Sequence, residues 1–183
     1  MATLFVDKID PQSGTSLEIG SSGDTITIPS GATITNNGTQ TGFGGTNTPA
    51  FSVRKNTNQD ISNNTATTVT WQTEDVDTDS AFASNTFTVP SDKGGVYFVY
   101  AMIRWNTDTD FQGIRLTIRK NSTNLLTAWG RNEYYQTQIV SGIINLSATD
   151  TVDVQCKQDS GGTLPIEDSD SGSVSIFSGF KLI

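Results

Sequence analysis

Histidine is absent from the chain, and cysteine occurs once, as Cys156. Without histidine the protein lacks the commonest general base and the commonest zinc ligand. A single cysteine excludes an internal disulfide, which fits folding in a reducing cytoplasm. The stretch "TVDVQCKQ" alternates, so Cys156 reads as a small core residue beside Val152 and Val154 rather than as a reactive thiol. Basic residues are also scarce. Eleven Lys and Arg face 19 Asp and Glu, for a net charge of −8. Nucleic acid repels such a surface, and Arg54, Lys55, Arg115, Arg119 and Lys120 are too few for a phosphate track. No apolar run reaches membrane-spanning length, so membrane insertion is not expected. "MATLFVDKID" has neither the basic start nor the long apolar run of a signal peptide. Four N-x-S/T sequons, at Asn37, Asn63, Asn121 and Asn145, are what chance gives in a chain rich in Asn, Ser and Thr. The good helix formers Ala, Leu, Glu and Lys are sparse, and no window shows a 3.6-residue apolar period. β-branched residues and Gly, Asn and Asp turn signals dominate, so the chain reads as all-β.

Composition shifts near "GTQTGFGGTNTP". Residues 36–48 form a Gly/Asn/Thr linker between an N-terminal segment, 1–35, and a fuller C-terminal domain, 49–183. In the N-terminal segment Leu17 and Ile19, then Ile26 and Ile28, then Ile34 sit in short alternating pieces that recur at irregular intervals. Each piece has too few large apolar side chains to offset the entropy of ordering it alone. It is either a disordered arm or a set of short strands intertwined with other copies; the strict Thr-Ile-Thr-Ile alternation favours the strands.

The C-terminal domain offers nine or ten longer strands separated by turns, as in a two-sheet sandwich of the jelly-roll kind. "GIRLTIRK" alternates with Ile114, Leu116 and Ile118 inward and Arg115, Thr117 and Arg119 outward. "GGVYFVYAMIRW" is apolar on both faces, with Val96, Phe98, Tyr100 and Met102 on one and Tyr97, Val99, Ala101 and Ile103 on the other. In "SVSIFSGFKLI", Val174, Ile176, Phe180 and Leu182 share a face while Phe177 and Ile183 point the other way. A strand that is apolar on both sides needs cover on both sides. One side can be the sandwich core; the other is most simply a subunit interface. Tyr97, Val99, Phe177 and Ile183 are the interface candidates.

Four pieces in order along residues 48–183 resemble the C1q/TNF-like jelly-roll head: "PAFSVRKNTNQ", "FTVPSDKGGVYFVYA", "SGIINLSATDTVDVQ" and "FSGFKLI". Three departures stand out. The spacing from Phe87 to Gly95 is longer, Val99 and Ala101 stand where aromatic residues are usual, and Thr149 replaces a Gly before Asp150. The resemblance implies a homotrimer whose last strand lies beside the three-fold axis. Residues 1–47 resemble, in composition, the attachment and shaft segments of tail fibres and other appendages of bacteriophages of marine cyanobacteria. That likeness implies a virion protein, assembled in the host cytoplasm and joined to other virion proteins through its N-terminal segment. The G-x-y repeat of a collagen stalk is absent.

Acid-rich stretches at 74–79, 106–110 and 167–171 invite a calcium reading, but none has the EF-hand pattern and solvated loops explain them better. No cofactor is expected. Nor does any constellation point to catalysis, so the protein is not expected to be an enzyme. "TAWGRNEYYQTQ" places Trp129, Arg131, Tyr134 and Tyr135 around an expected tight connection at Gly130 to Asn132. Aromatic faces with Arg and Asn suit sugars and protein partners; packing under the loop or at the trimer interface is the alternative. Two functions follow. One is a trimeric fibre whose head binds a host envelope receptor, such as a glycan. The other is a structural connector, adaptor or capsid fibre.

Overall fold

The structure is a computed structural model, and it describes residues 9–38, 47–105, 111–132, 136–166 and 175–182. The chain divides into two units, Met1–Phe43 and Gly44–Ile183.

In the first unit the described residues form turns but no strand. Asp24 closes one turn: its N–H donates to Ser21 O at 2.9 Å and its carboxylate accepts the Ser21 N–H at 2.7 Å. Eight residues further on, Ala32 N–H donates to Pro29 O at 3.1 Å. Gly23 and Gly31 supply the positive φ these turns need, 95° and 85°. Ile19, Ile26, Ile28 and Ile34 between them are 49–62% exposed. The expected short strands are therefore missing from the single chain, where they have no edge to pair with.

The second unit contains thirteen strands among the described residues. They are β1 (Ala50–Arg54), β2 (Gln59–Ile61), β3 (Thr67–Thr68), β4 (Thr73–Asp77), β5 (Phe82–Ala83), β6 (Thr86–Thr88) and β7 (Gly95–Arg104). Then follow β8 (Phe111–Lys120), β9 (Thr123–Asn132), β10 (Thr137–Leu146), β11 (Thr151–Gln158), β12 (Leu164–Ile166) and β13 (Ile176–Lys181). One sheet has the order β10-β7-β13-β1-β4 and the other β5-β6-β11-β8-β9, with β3 also on β11; β2 and β12 make a small third sheet. All the ladders between named strands are antiparallel.

The inward faces meet in an aromatic cluster. The Phe51 ring lies 4.5 Å from Phe87, 4.8 Å from Phe177 and 5.5 Å from Phe82, centroid to centroid. Gly179 makes room for it, because a Cβ there would lie 2.8 Å from Phe51 Cε1. The F-S-G-F run thus has a physical reading: Phe177 fills the core and Gly179 admits Phe51. Ser178 and Phe180 point outward, with Ser178 Oγ 2.9 Å from Ser52 Oγ. Ile114, Leu116 and Ile118 are fully buried, as their alternation implied. Thr117, on the opposite face of β8, is also fully buried.

The interface candidates are corrected by this packing. Tyr97, Val99 and Phe177 are 0% exposed in the single chain. They cannot be residues buried only on association, because the hydrophobic core between the sheets already encloses them. Ile183 lies outside the described residues. The outward face of β7 is the other one. Cys156 is buried as expected, and burial pushes its thiol up to about 12.

Candidate functional site

Two outward faces remain. On the β10-β7-β13-β1 sheet, strand register aligns side chains in rows. Ile143, Phe98, Phe180 and Ala50 form one row, and Ser141, Tyr100, Ser178 and Ser52 the next. Ile139, Met102 and Ile176 form a third. Ile143 is 67% and Ile139 52% exposed, while Phe98, Tyr100, Met102, Ile176 and Phe180 are half-buried. The Phe98 and Phe180 ring centroids are 5.7 Å apart, and the Tyr100 hydroxyl donates to Met102 Sδ at 3.3 Å. Two apolar rows flanking a hydroxyl row make a surface suited to another protein surface rather than to water.

The open face of the other sheet is polar and charged. Its rows run across β9, β8 and β11. Trp129 pairs with Arg115, and Arg115 with Lys157. Thr127, Thr117 and Gln155 form the next row. In the row after that, the Arg119 guanidinium grips Asp153 through two hydrogen bonds, one of them Nε–Oδ1 at 2.8 Å. At the far end of β8, Lys120 Nζ lies 2.7 Å from Asp150 Oδ2. Hydrogen bonds from Lys120 and Asn121, and from the Ser147 N–H, hold the Asp150 carboxyl down at about 2.

Trp129 is 72% exposed, and Arg115 Cζ sits 5.2 Å from its ring centroid. Its exposure follows from β9's alternation: Leu126, Ala128 and Gly130 turn inward, so Leu125, Trp129 and Arg131 turn outward. Beside the ring is a depression of about 70 Å³ lined by Asn64, Gly113, Arg115, Lys157 and Asp159, among others. The Asp159 carboxylate accepts the Gly113 N–H at 2.6 Å, and Asp159 N–H donates to Gly113 O at 3.1 Å.

Of the four sugar-site candidates, Trp129 and Arg131 share this face and both are exposed. Tyr134 and Tyr135 lie outside the described residues. The connection expected at Gly130 to Asn132 is not a turn, since β9 continues through Asn132. Gly130 sits in the ladder opposite Ile114. Lys157 and Asp159 escaped the sequence reading because β11 meets β8 only through long-range pairing.

A second concavity, about 350 Å³, lies where the sheet edges β4 and β5 approach each other, with Trp71, Gln72, Glu74, Phe82 and Asn85 among its lining. The buried Trp71 Nε1 has no hydrogen-bond partner among the described residues.

The acidic stretch at 74–79 is engaged locally. Asp75 pairs with Arg54 at 3.0 Å, and the Asp77 carboxylate accepts the N–H groups of Ala81 and Phe82, each at 2.9 Å. Among the described residues no three carboxylate or thiol groups gather as a metal site would need. The stretches at 106–110 and 167–171 lie outside the described residues.

No protein-family model matches the sequence, and no curated protein matches it either. Among solved structures, the globular domain of the zebrafish complement 1qA protein superposes with a TM-score of 0.52 at 21% identity. The match covers 74% of this chain and 98% of that domain. The second unit therefore has the C1q-like jelly-roll fold. At that identity the likeness establishes architecture, and function has to be argued from the site.

Proposed function

We propose that this protein is a homotrimeric binding head on a short N-terminal attachment segment, part of a bacteriophage virion, and that the head grips a glycan of the host envelope. The observation that carries the reading is Trp129, an indole 72% exposed on a rigid ladder of a C1q-like head. Water disfavours a bare indole, and sugar C–H faces are suited to cover one. Trimerisation is supported by the rows of Phe98, Phe180, Met102, Ile139 and Ile143 on the opposite sheet, and by the general habit of C1q-like domains to form trimers. The virion setting rests on the resemblance of residues 1–47 to phage appendage segments. Three weak sites held in one trimer raise avidity by ~10²-fold or more without a new contact. Binding, rather than catalysis, is the role that the charged open face fits.

Adsorption competition tests the reading. Purified trimer is added to host cells before phage, beside a Trp129→Ala protein. Wild type should slow adsorption, and the variant should do so at least tenfold less well per mole. A folded wild-type trimer that neither binds cells nor slows adsorption replaces this reading with that of a structural connector.

A further inference from the structure

The row of Trp129, Arg115 and Lys157 breaks two local rules at once. Like charges directly opposite each other on neighbouring strands destabilise a sheet. Arg115 and Lys157 are such a pair, in a chain of net charge −8. Among the described residues neither forms an ion pair with a carboxylate, whereas Arg119 is matched by Asp153 and Lys120 by Asp150 further along the same strand. The carboxylate in the adjoining depression, Asp159, has one oxygen taken by the Gly113 N–H. The second broken rule is the indole left in water beside these cations. Violations of local design that cluster in one place mark functional sites.

We propose that this row binds an anionic saccharide, a deepening that rests on the glycan reading above. The sugar ring lies on the Trp129 indole. Its acid group, whether carboxylate, sulfate ester or phosphate ester, lies between the Arg115 guanidinium and the Lys157 ammonium. The free oxygen of Asp159 accepts a sugar hydroxyl. A neutral sugar would use the indole, over which Arg115 sits, and leave the Lys157 ammonium opposite Arg115 unexplained. An inorganic anion would use the cations and leave the indole unexplained. Only a ligand carrying both a ring and a charge uses all three side chains. The row spans two strand spacings, roughly 10 Å, which suits a short oligosaccharide better than a lone ion.

The test is binding of the full-length protein to immobilised saccharides in matched pairs. Oligogalacturonate is set against its methyl ester, a sulfated galactan oligomer against the unsulfated one, and a phosphomannan oligomer against mannan. At least one charged member should bind tenfold or more tightly than its neutral partner and weaken as salt rises from 50 to 500 mM. Trp129→Ala and the double variant Arg115→Gln/Lys157→Gln should each lose tenfold or more, with circular dichroism unchanged. No preference for any charged member overturns the inference. If the neutral sugars still bind through Trp129, the glycan reading stands without it; if no sugar binds and cells are not bound, both fall. Displacement by inorganic sulfate at the same concentration as well as by the charged oligomer means a bare anion site and also overturns it.

Discussion

Replacing Gly179 by alanine should cost the head about 1–2 kcal/mol, and the structure says where that cost arises. The new Cβ would stand 2.8 Å from Cε1 and 3.1 Å from Cζ of Phe51, and 3.1 Å from the carbonyl oxygen of Phe98. Contacts this short relax only if a neighbour moves. The Phe98 oxygen belongs to the backbone of β7, held between two ladders. The Phe51 ring is packed by Phe87, Phe177 and Phe82. Overfilling a close-packed core costs about 1–3 kcal/mol. Removing a glycine from the unfolded chain returns about 0.4–1 kcal/mol. The net loss corresponds to a fall in Tm of roughly 3–8 °C for a domain of this size. The assay is urea and thermal unfolding at one fixed protein concentration, because association contributes to apparent stability. A Phe51→Leu change made beside it should recover part of the loss, with a coupling of about 0.5 kcal/mol or more in a double-mutant cycle. Stability of the Gly179→Ala protein within about 0.3 kcal/mol of wild type, the typical error of such cycles, would refute the packing account. Simple additivity with Phe51→Leu would do the same.

Thr149 holds φ at +69°, and Thr149→Gly should stabilise the head by about 0.5 kcal/mol, since a non-glycine residue loses about 1–2 kcal/mol there and glycine's extra unfolded freedom returns only part of that gain; a lower urea midpoint would contradict this. Phe98→Asp or Phe180→Asp should shift the protein toward monomer in sedimentation at micromolar concentration, because each puts a charge in the middle of the apolar rows, while circular dichroism stays that of a folded sheet. The hydrogen bonds that hold the Asp150 carboxyl down at about 2, against 3.8 ordinarily, make a contribution that is complete above about pH 5 and is lost as pH falls through 2; Asp150→Asn should flatten that part of the acid dependence of the urea midpoint, with only a small loss at pH 7 because solvent screens the pair. The Cys156 thiol, buried and pushed up to about 12, should react with a thiol reagent at pH 8 only at the rate of unfolding, and immediate labelling of the native protein would contradict its core placement.

On β8 both the alternation and its inward face are legible in the sequence, whereas on β7 and β13, apolar on both sides, the alternation is legible but which face is which is not. Tyr97 and Phe98 are both large and aromatic, and nothing local distinguishes them. Tyr97 is interior because Phe87 of the opposite sheet lies against it, at 5.8 Å between centroids, a long-range fact. The inverted assignment of Tyr97, Val99 and Phe177 comes from that. Thr149 shows the opposite case. The sequence shows a Thr where the motif it resembles carries a glycine, and the positive φ there gives that glycine a physical reason. Trp129 stands out in the sequence by its chemistry as a candidate. Its cationic neighbours do not, since register between β8, β9 and β11 brings together residues 115, 129 and 157. The N-terminal pieces carry too few large apolar side chains to stabilise themselves alone, and the isoleucines of residues 9–38 are exposed accordingly.

The apolar rows and the charged row belong to opposite sheets and share no side chain. On the reading proposed above, Trp129, Arg115 or Lys157 can be exchanged, and with them the surface that binds, without touching the rows of Phe98, Tyr100 and Phe180 proposed to join copies. On that reading, selection on attachment and selection on assembly act on different strands, β8, β9 and β11 for the one and β7, β10 and β13 for the other. What neither can alter freely is the layer between them, where Phe51 occupies the space that Gly179 leaves. The same separation lets an engineer rewrite one side of the head while keeping the other as a fixed handle.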